Sequence, residues 1–184
     1  MIAIPHYISP EEYLTIERQS LVRHEYRYGL VYAMAGGTDN HDRIAYNLLK
    51  LIDNHLGDDA QCRFYSGNVK VNYADDVYYY PDAFVTCDPS DRENRYVKSN
   101  PKLVAEVLSS STQAFDSSDK FEDYKKIEAL EEYVLISQDV QQVECYRKQA
   151  DHTWKSVVYR KGDLVSLSSI GLNFDIAKLY RGLD

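Results

Sequence analysis

Two short apolar runs in the middle of the chain, residues 77–87 (VYYYPDAFVTC) and 102–108 (KLVAEVL), each carry one carboxylate, Asp82 and Glu106. Runs rich in β-branched and aromatic residues, bounded by Pro, Asp and Ser, predict strands. A carboxylate inside such a strand is costly to bury unless it is paired, protonated or bound to a cation. The strand period of two puts Tyr80, Asp82 and Phe84 on one face, and Val104, Glu106 and Leu108 on one face of the next strand. If the strands pair, both carboxylates project from one side of a sheet, and something positive has to meet them there. The segment that follows repeats Asp116, Lys120 and Tyr124 every four residues, so a helix presents them on one side and Lys120 can supply that charge.

The rest of the chain reads around this centre. Ser9-Pro10-Glu11-Glu12 predicts a helix start, with a Ser cap, Pro in the first turn and acids at the positive end of the dipole, running to about residue 19. Residues 24–28 and 30–34 flank Gly29 as a hairpin or bent strand, and Gly36-Gly37 reads as a plain turn. Ile44, Leu48, Leu51, Ile52 and Leu56 follow helical spacing from residue 40 or 41 to about 56. Strands at 62–64, 69–73, 77–87 and 102–108 predict an antiparallel meander, because their connectors are too short for crossovers. A helix over 117 to about 130, with Asp116 as its cap, allows the apolar strand 132–137 a parallel partner. Runs at 143–147, 154–159 and 164–167 complete an antiparallel tail, with a last helical turn at 176–180. The expectation is one domain spanning 1–184, mixed α and β (an α/β or α+β class), with a mixed central sheet flanked by helices.

Composition excludes several roles. No apolar run approaches the ~20 residues of a membrane helix, and the first residues lack the basic start and apolar middle of a signal peptide. The three cysteines, Cys62, Cys87 and Cys145, are widely spaced and in no CxxC pair, which predicts reduced thiols in a cytoplasmic protein. There is no G-x-S-x-G elbow, no Gly-rich phosphate loop and no HExxH spacing. The net charge of −8 weighs against a broad basic face for nucleic acid, although residues 88–101 hold Arg92, Arg95 and Lys98. Seventeen tyrosines suit a protein interface as well as a core, so a homodimer is an expectation.

Phosphodiester hydrolysis with a divalent cation needs hard oxygen ligands, and Asp82 and Glu106 are of that type. Lys120 can orient or deprotonate the attacking water and offset charge on the phosphorane. Each residue also has a structural use: Asp82 as a strand-start residue, Asp116 as a cap, Lys120 as an ion-pair partner. Tyr124 serves equally as a substrate contact or a core-edge aromatic.

The ordered set PD, E-V-L-S, D-x-x-x-K-x-x-x-Y and E-E-Y-V-L-I resembles the Uma-type putative restriction endonuclease family of the PD-(D/E)XK nuclease superfamily. The resemblance extends to R-H-E-Y-R-Y-G-L-V-Y-A-M from Arg23 and H-D-R-I-A-Y-N-L-L from His41, nearly the whole chain. It implies a restriction-endonuclease-like αβββαβ core, a magnesium cofactor with manganese as substitute, and double-stranded DNA as partner. It implies Asp82 and Glu106 as metal ligands, Glu25 as an added acidic ligand, and His41 as either a phosphate contact or a cap. Where the superfamily pattern has lysine, this chain has Leu108, and Lys120 on the next helix stands in its place. The implied activity is DNA endonuclease; the alternative is a catalytically inactive nuclease-like module for protein or nucleic-acid association, favoured by the acidic charge and by Leu108.

Overall fold

The computed structural model describes residues 7–34, 36–57, 61–109 and 116–183. Ser9 opens helix α1 (Pro10–Gln19) through a capping box: its hydroxyl accepts the Glu12 N–H, and the Glu12 carboxylate accepts the Ser9 N–H. Strands β1 (His24–Arg27) and β2 (Leu30–Ala33) form the expected hairpin, turning through Tyr28 and Gly29, both at positive φ. Thr38 caps α2 (Asp39–Leu56), whose stripe of Ile44, Leu48 and Ile52 is buried as the spacing required.

Six strands make the main sheet. Its meander is β3 (Arg63–Ser66), β6 (Ala83–Thr86) and β8 (Pro101–Leu108), and β9 (Glu132–Ser137) lies parallel to β8. Antiparallel β10 (Gln142–Lys148) and β11 (Trp154–Arg160) extend it. With α2 in front and the short helix α3 (Phe121–Tyr124) between β8 and β9, the order is αβββαβ. One face of the sheet, through Ala83, Val85, Leu103, Ala105 and Val107, packs on the α2 stripe. The other, through Phe84, Val104, Tyr133 and Leu135, packs on an aromatic layer of Tyr79, Phe121 and Tyr124. Strands covered on both faces read as continuous apolar runs, which is why this part of the sequence showed little alternation.

Several expectations are corrected. The run 77–87 is two strands in different sheets: β5 (Val77–Tyr79) belongs with β1, β2, β4 (Lys70–Tyr73) and β7 (Val97–Lys98), while β6 joins the main sheet. Pro81 lies in the break, where a residue with no N–H cannot continue a ladder. Consequently β3 pairs with β6, and the β4–β5 hairpin leaves the meander. The helix expected over 117–130 is a π turn at Asp116–Lys120 followed by only one α turn, then bends to β9. β12 (Leu164–Leu167) pairs with a strand that had no clear signal, β13 (Leu172–Asp175), in a separate small sheet. Cys62 and Cys87 are disulfide-bonded, because the residues next to them, Arg63 and Thr86, are cross-strand partners; only Cys145 is free, and it is buried. Of the cations in residues 88–101, Lys98 is buried, its ammonium donating to the Asp91 and Asn94 carbonyls, while Arg92 donates to the Gln61 carbonyl. Among the described residues no helix is long and apolar enough to cross a membrane.

Candidate active site

Asp82 immediately precedes β6, and the pairing of Ala83 with Ala105 brings it beside Glu106. The ladder ends there, and the side chains take over from it. Asp82 Oδ2 accepts the Val107 N–H at 2.7 Å, and Glu106 Oε2 accepts the Asp82 N–H at 3.3 Å. Each carboxylate therefore holds the other's strand in place. Lys120, at the end of the π turn, brings its ammonium within 3.0 Å of Glu106 Oε1, 3.0 Å of Glu25 Oε1 and 3.4 Å of Asp116 Oδ1. Glu25 reaches in from β1 and also accepts the Tyr80 N–H at 3.0 Å. His41, in the first turn of α2, places Nε2 3.1 Å from Asp82 Oδ2. All these groups line one cavity of about 520 Å³.

Glu106 is 3 % exposed and lies on the β8 face that otherwise packs on the aromatic layer. Burial raises its pKa well above the usual carboxylate range; Asp116, Asp82 and Glu25 add to this, and Lys120 opposes it. Burial works against the charge on Lys120 too, but Glu106 and Glu25 outweigh it and hold the ammonium well above the usual lysine range. The two effects pull against each other, since the ammonium favours an ionised Glu106. With several carboxylates sharing one ammonium, Lys120 stays charged and Glu106 is the group that resists ionisation. The hydrogen bond to Asp82 raises His41 against the opposing effect of burial.

The donor set fits a divalent cation. Glu25, Asp82, Glu106, Asp116 and Asp119 line the cavity against the permanent charges of Arg27 and Lys120, so hard oxygen donors exceed positive charge. Glu106 Oε1 is buried without a well-formed hydrogen bond, although the Lys120 ammonium is close to it. Among the described residues no three His, Cys, Asp or Glu side chains form a ready-made cage. Magnesium does not need one: it is commonly held by one or two carboxylates, with water and substrate oxygens completing its shell.

Of the residues singled out in the sequence, Asp82, Glu106, Lys120, Glu25 and His41 meet in this cavity. Tyr124 does not line it; the ring is 1 % exposed, packed against Tyr79 and Tyr133 in the aromatic layer. Asp116 is a buried partner of Lys120 inside the π turn, not a helix cap. Two contributors were missed. Gly37 is no plain turn residue, since a Cβ there would lie 2.9 Å from His41 Nδ1, so glycine leaves room for the imidazole. Asp123 is buried and accepts from Arg27 Nε at 2.7 Å, Tyr28 at 2.8 Å, Tyr79 at 2.7 Å and Lys126 at 2.9 Å. It ties the segment carrying Lys120 to β1 and β5. Its only local signal was a lysine three residues on.

The model of the Uma2 family, described as putative restriction endonuclease, matches residues 10–177. The chain belongs to the Uma2 family. The uncharacterized protein slr1290 of Synechocystis sp. (strain ATCC 27184 / PCC 6803 / Kazusa) is 40% identical over 177 residues, covering 96% of this chain and 93% of its own. A second protein of that organism, sll1609, is 34% identical over 157 residues, covering 84% and 88%. The crystal structure of a putative nuclease belonging to DUF820 from Anabaena variabilis ATCC 29413 shares the fold, with a TM-score of 0.77 at 20% identity over 94% of this chain and 97% of that one. In this Uma2 chain Leu108 packs against the aromatic layer, and the ammonium beside Glu106 comes from Lys120 on the π turn instead.

Proposed function

We propose that this Uma2 chain is a magnesium-dependent endonuclease, with manganese as substitute, that hydrolyses phosphodiester bonds of double-stranded DNA. The observation that carries the reading is the meeting of Asp82, Glu106 and Lys120, from three separate segments, at one cavity. Asp82 and Glu106 would hold the ion, with Glu25 as a further acidic neighbour. When bound, the ion supplies Lewis-acid stabilisation of the phosphoryl oxygens and acidifies a water. Lys120 holds a fixed ammonium where charge develops on the phosphorane and orients the attacking water. His41, paired with Asp82, offers an imidazole N–H to a phosphate oxygen at the cavity wall. The crossed bonds between Asp82, Glu106 and their strands keep both carboxylates pre-positioned, so little reorganisation is left for the reaction.

Supercoiled plasmid incubated with purified protein and magnesium or manganese should be nicked, and Glu106→Gln should lose at least about a hundredfold in rate, the scale of removing a group that acts in the transition state. Nicking at an undiminished rate by that variant would sink the assignment. Calorimetric titration separates the alternative of an inactive nuclease-like module, which predicts no magnesium or manganese binding at millimolar concentration.

A further inference from the structure

A second cavity of about 610 Å³ adjoins the first and shares Met34, Gly36, Gly37, His41, Tyr80 and Asp82 with it. The Asp82–His41 pair is therefore a saddle between two chambers, and only one of them contains Glu106 and Lys120. The walls of the second chamber differ in kind. One wall, from the residue just before β1 and the β3–β4 turn, carries Arg23 and Asn68. Arg23 Nη1 donates to the Gly67 carbonyl and to Asn68 Oδ1 at 3.1 Å, and the guanidinium lies 5.9 Å from the Tyr80 ring centre. Among the described residues no hydrogen bond holds its Nη2 or Nε, so a guanidinium fixed through Nη1 lines the cavity with donors to spare. The opposite wall is the α2 face of Ala45, Tyr46 and Leu49. Ala45 and Leu49 cover the core, while Tyr46 is 55 % exposed and lines the cavity. Asp39 and Asp42, also on α2, repel phosphate from that side.

A ligand that suits both walls has an anionic end and a flat neutral end. Building on the nuclease reading, we infer that the second cavity receives the deoxynucleotide next to the scissile phosphate in an unstacked state. Its base lies on Tyr46 and Leu49, and its outer phosphate on Arg23. Sequence reading passed over these residues because Arg23 and Tyr46 belong to different elements and neither lies in a run of similar residues.

The test is binding without turnover. A fluorescein-labelled single-stranded oligodeoxynucleotide is titrated in EDTA and followed by anisotropy, and a 2-aminopurine version reports the environment of the base. Tyr46→Ala should weaken binding about tenfold, the scale of one base stacked on an aromatic ring, and Arg23→Ala should weaken it with a shallower salt dependence. Tyr96→Ala, an exposed tyrosine outside both cavities, serves as the surface control and should bind as the parent does. Equal affinity of Tyr46→Ala, Tyr96→Ala and the parent would overturn the subsite, even if the protein cuts DNA. Binding that depends on Tyr46 and Arg23, with no cleavage under any metal, would retain the subsite and overturn the nuclease reading.

Discussion

Replacing Lys120 by methionine keeps most of the apolar stem and removes the one charge that Glu25, Glu106 and Asp116 share. The ammonium is 3.0, 3.0 and 3.4 Å from their oxygens, and Lys120 is 5 % exposed, so water cannot replace it cheaply. Removing one partner of a buried ionic cluster costs about 3–5 kcal/mol, because the charges left behind stay desolvated. In a chain of 184 residues each kcal/mol shifts the melting midpoint by roughly 2–4 °C, so Lys120→Met should melt roughly 6–20 °C lower. Glu106→Gln should cost far less: burial already disfavours its charge, and Lys120 keeps Glu25 and Asp116. The double variant should then recover about 1 kcal/mol or more of what Lys120→Met loses, a coupling expected of groups in direct contact. Thermal unfolding by circular dichroism, with urea titrations in EDTA to give free energies, measures all three variants without reference to activity. A Lys120→Met midpoint within about 2 °C of the parent, or a double variant less stable than Lys120→Met, would refute this electrostatic account.

Two further predictions concern the supports of the site. Asp123→Asn should cost about 1.5–3 kcal/mol at neutral pH, the scale of lost hydrogen bonds to charged groups. Burial works to raise the Asp123 pKa, but bonds from Arg27, Lys126, Tyr79 and Tyr28 outweigh it and hold it below the usual aspartate value. The sign follows: this stability is present above the unfolded pKa of about 3.9 and is lost as pH falls through the lower folded value. Parent and variant midpoints should therefore converge only below about pH 4, and a gap that widened on acidification would contradict the assignment. For the disulfide, a thiol titration in denaturant should find one reactive thiol per chain before reduction and three after. Cys62→Ser/Cys87→Ser should lose about 3.5 kcal/mol, the loop-closure entropy of a 25-residue separation, and three thiols before reduction would rule the bond out.

The local elements were written in the residues. Ser9-Pro10-Glu11-Glu12 starts its helix by short-range hydrogen bonds, and α2 announces itself through one apolar stripe, so neighbours along the chain suffice for both. Asp82, Glu106 and Lys120 were legible as a group for a similar reason, since an isolated charge in an apolar strand has few uses other than meeting another charge. The helix after residue 116 was overestimated because its apolar spacing continues past the point where the chain must bend into β9.

What the sequence alone determined is therefore the set of charged groups that meet at the cavity and most of the strands and helices that carry them. Tertiary structure decided their company. The split at Pro81 sends β5 and β6 into different sheets, so Asp82 sits at a boundary where its carboxylate can replace a ladder bond. That same arrangement pairs β3 with β6, brings Cys62 to Cys87, and buries Tyr124 against Tyr79 and Tyr133. None of these contacts is local. Each depends on which strand lies beside which, and pairing is chosen by the total burial of both sheet faces rather than by any residue's own preference.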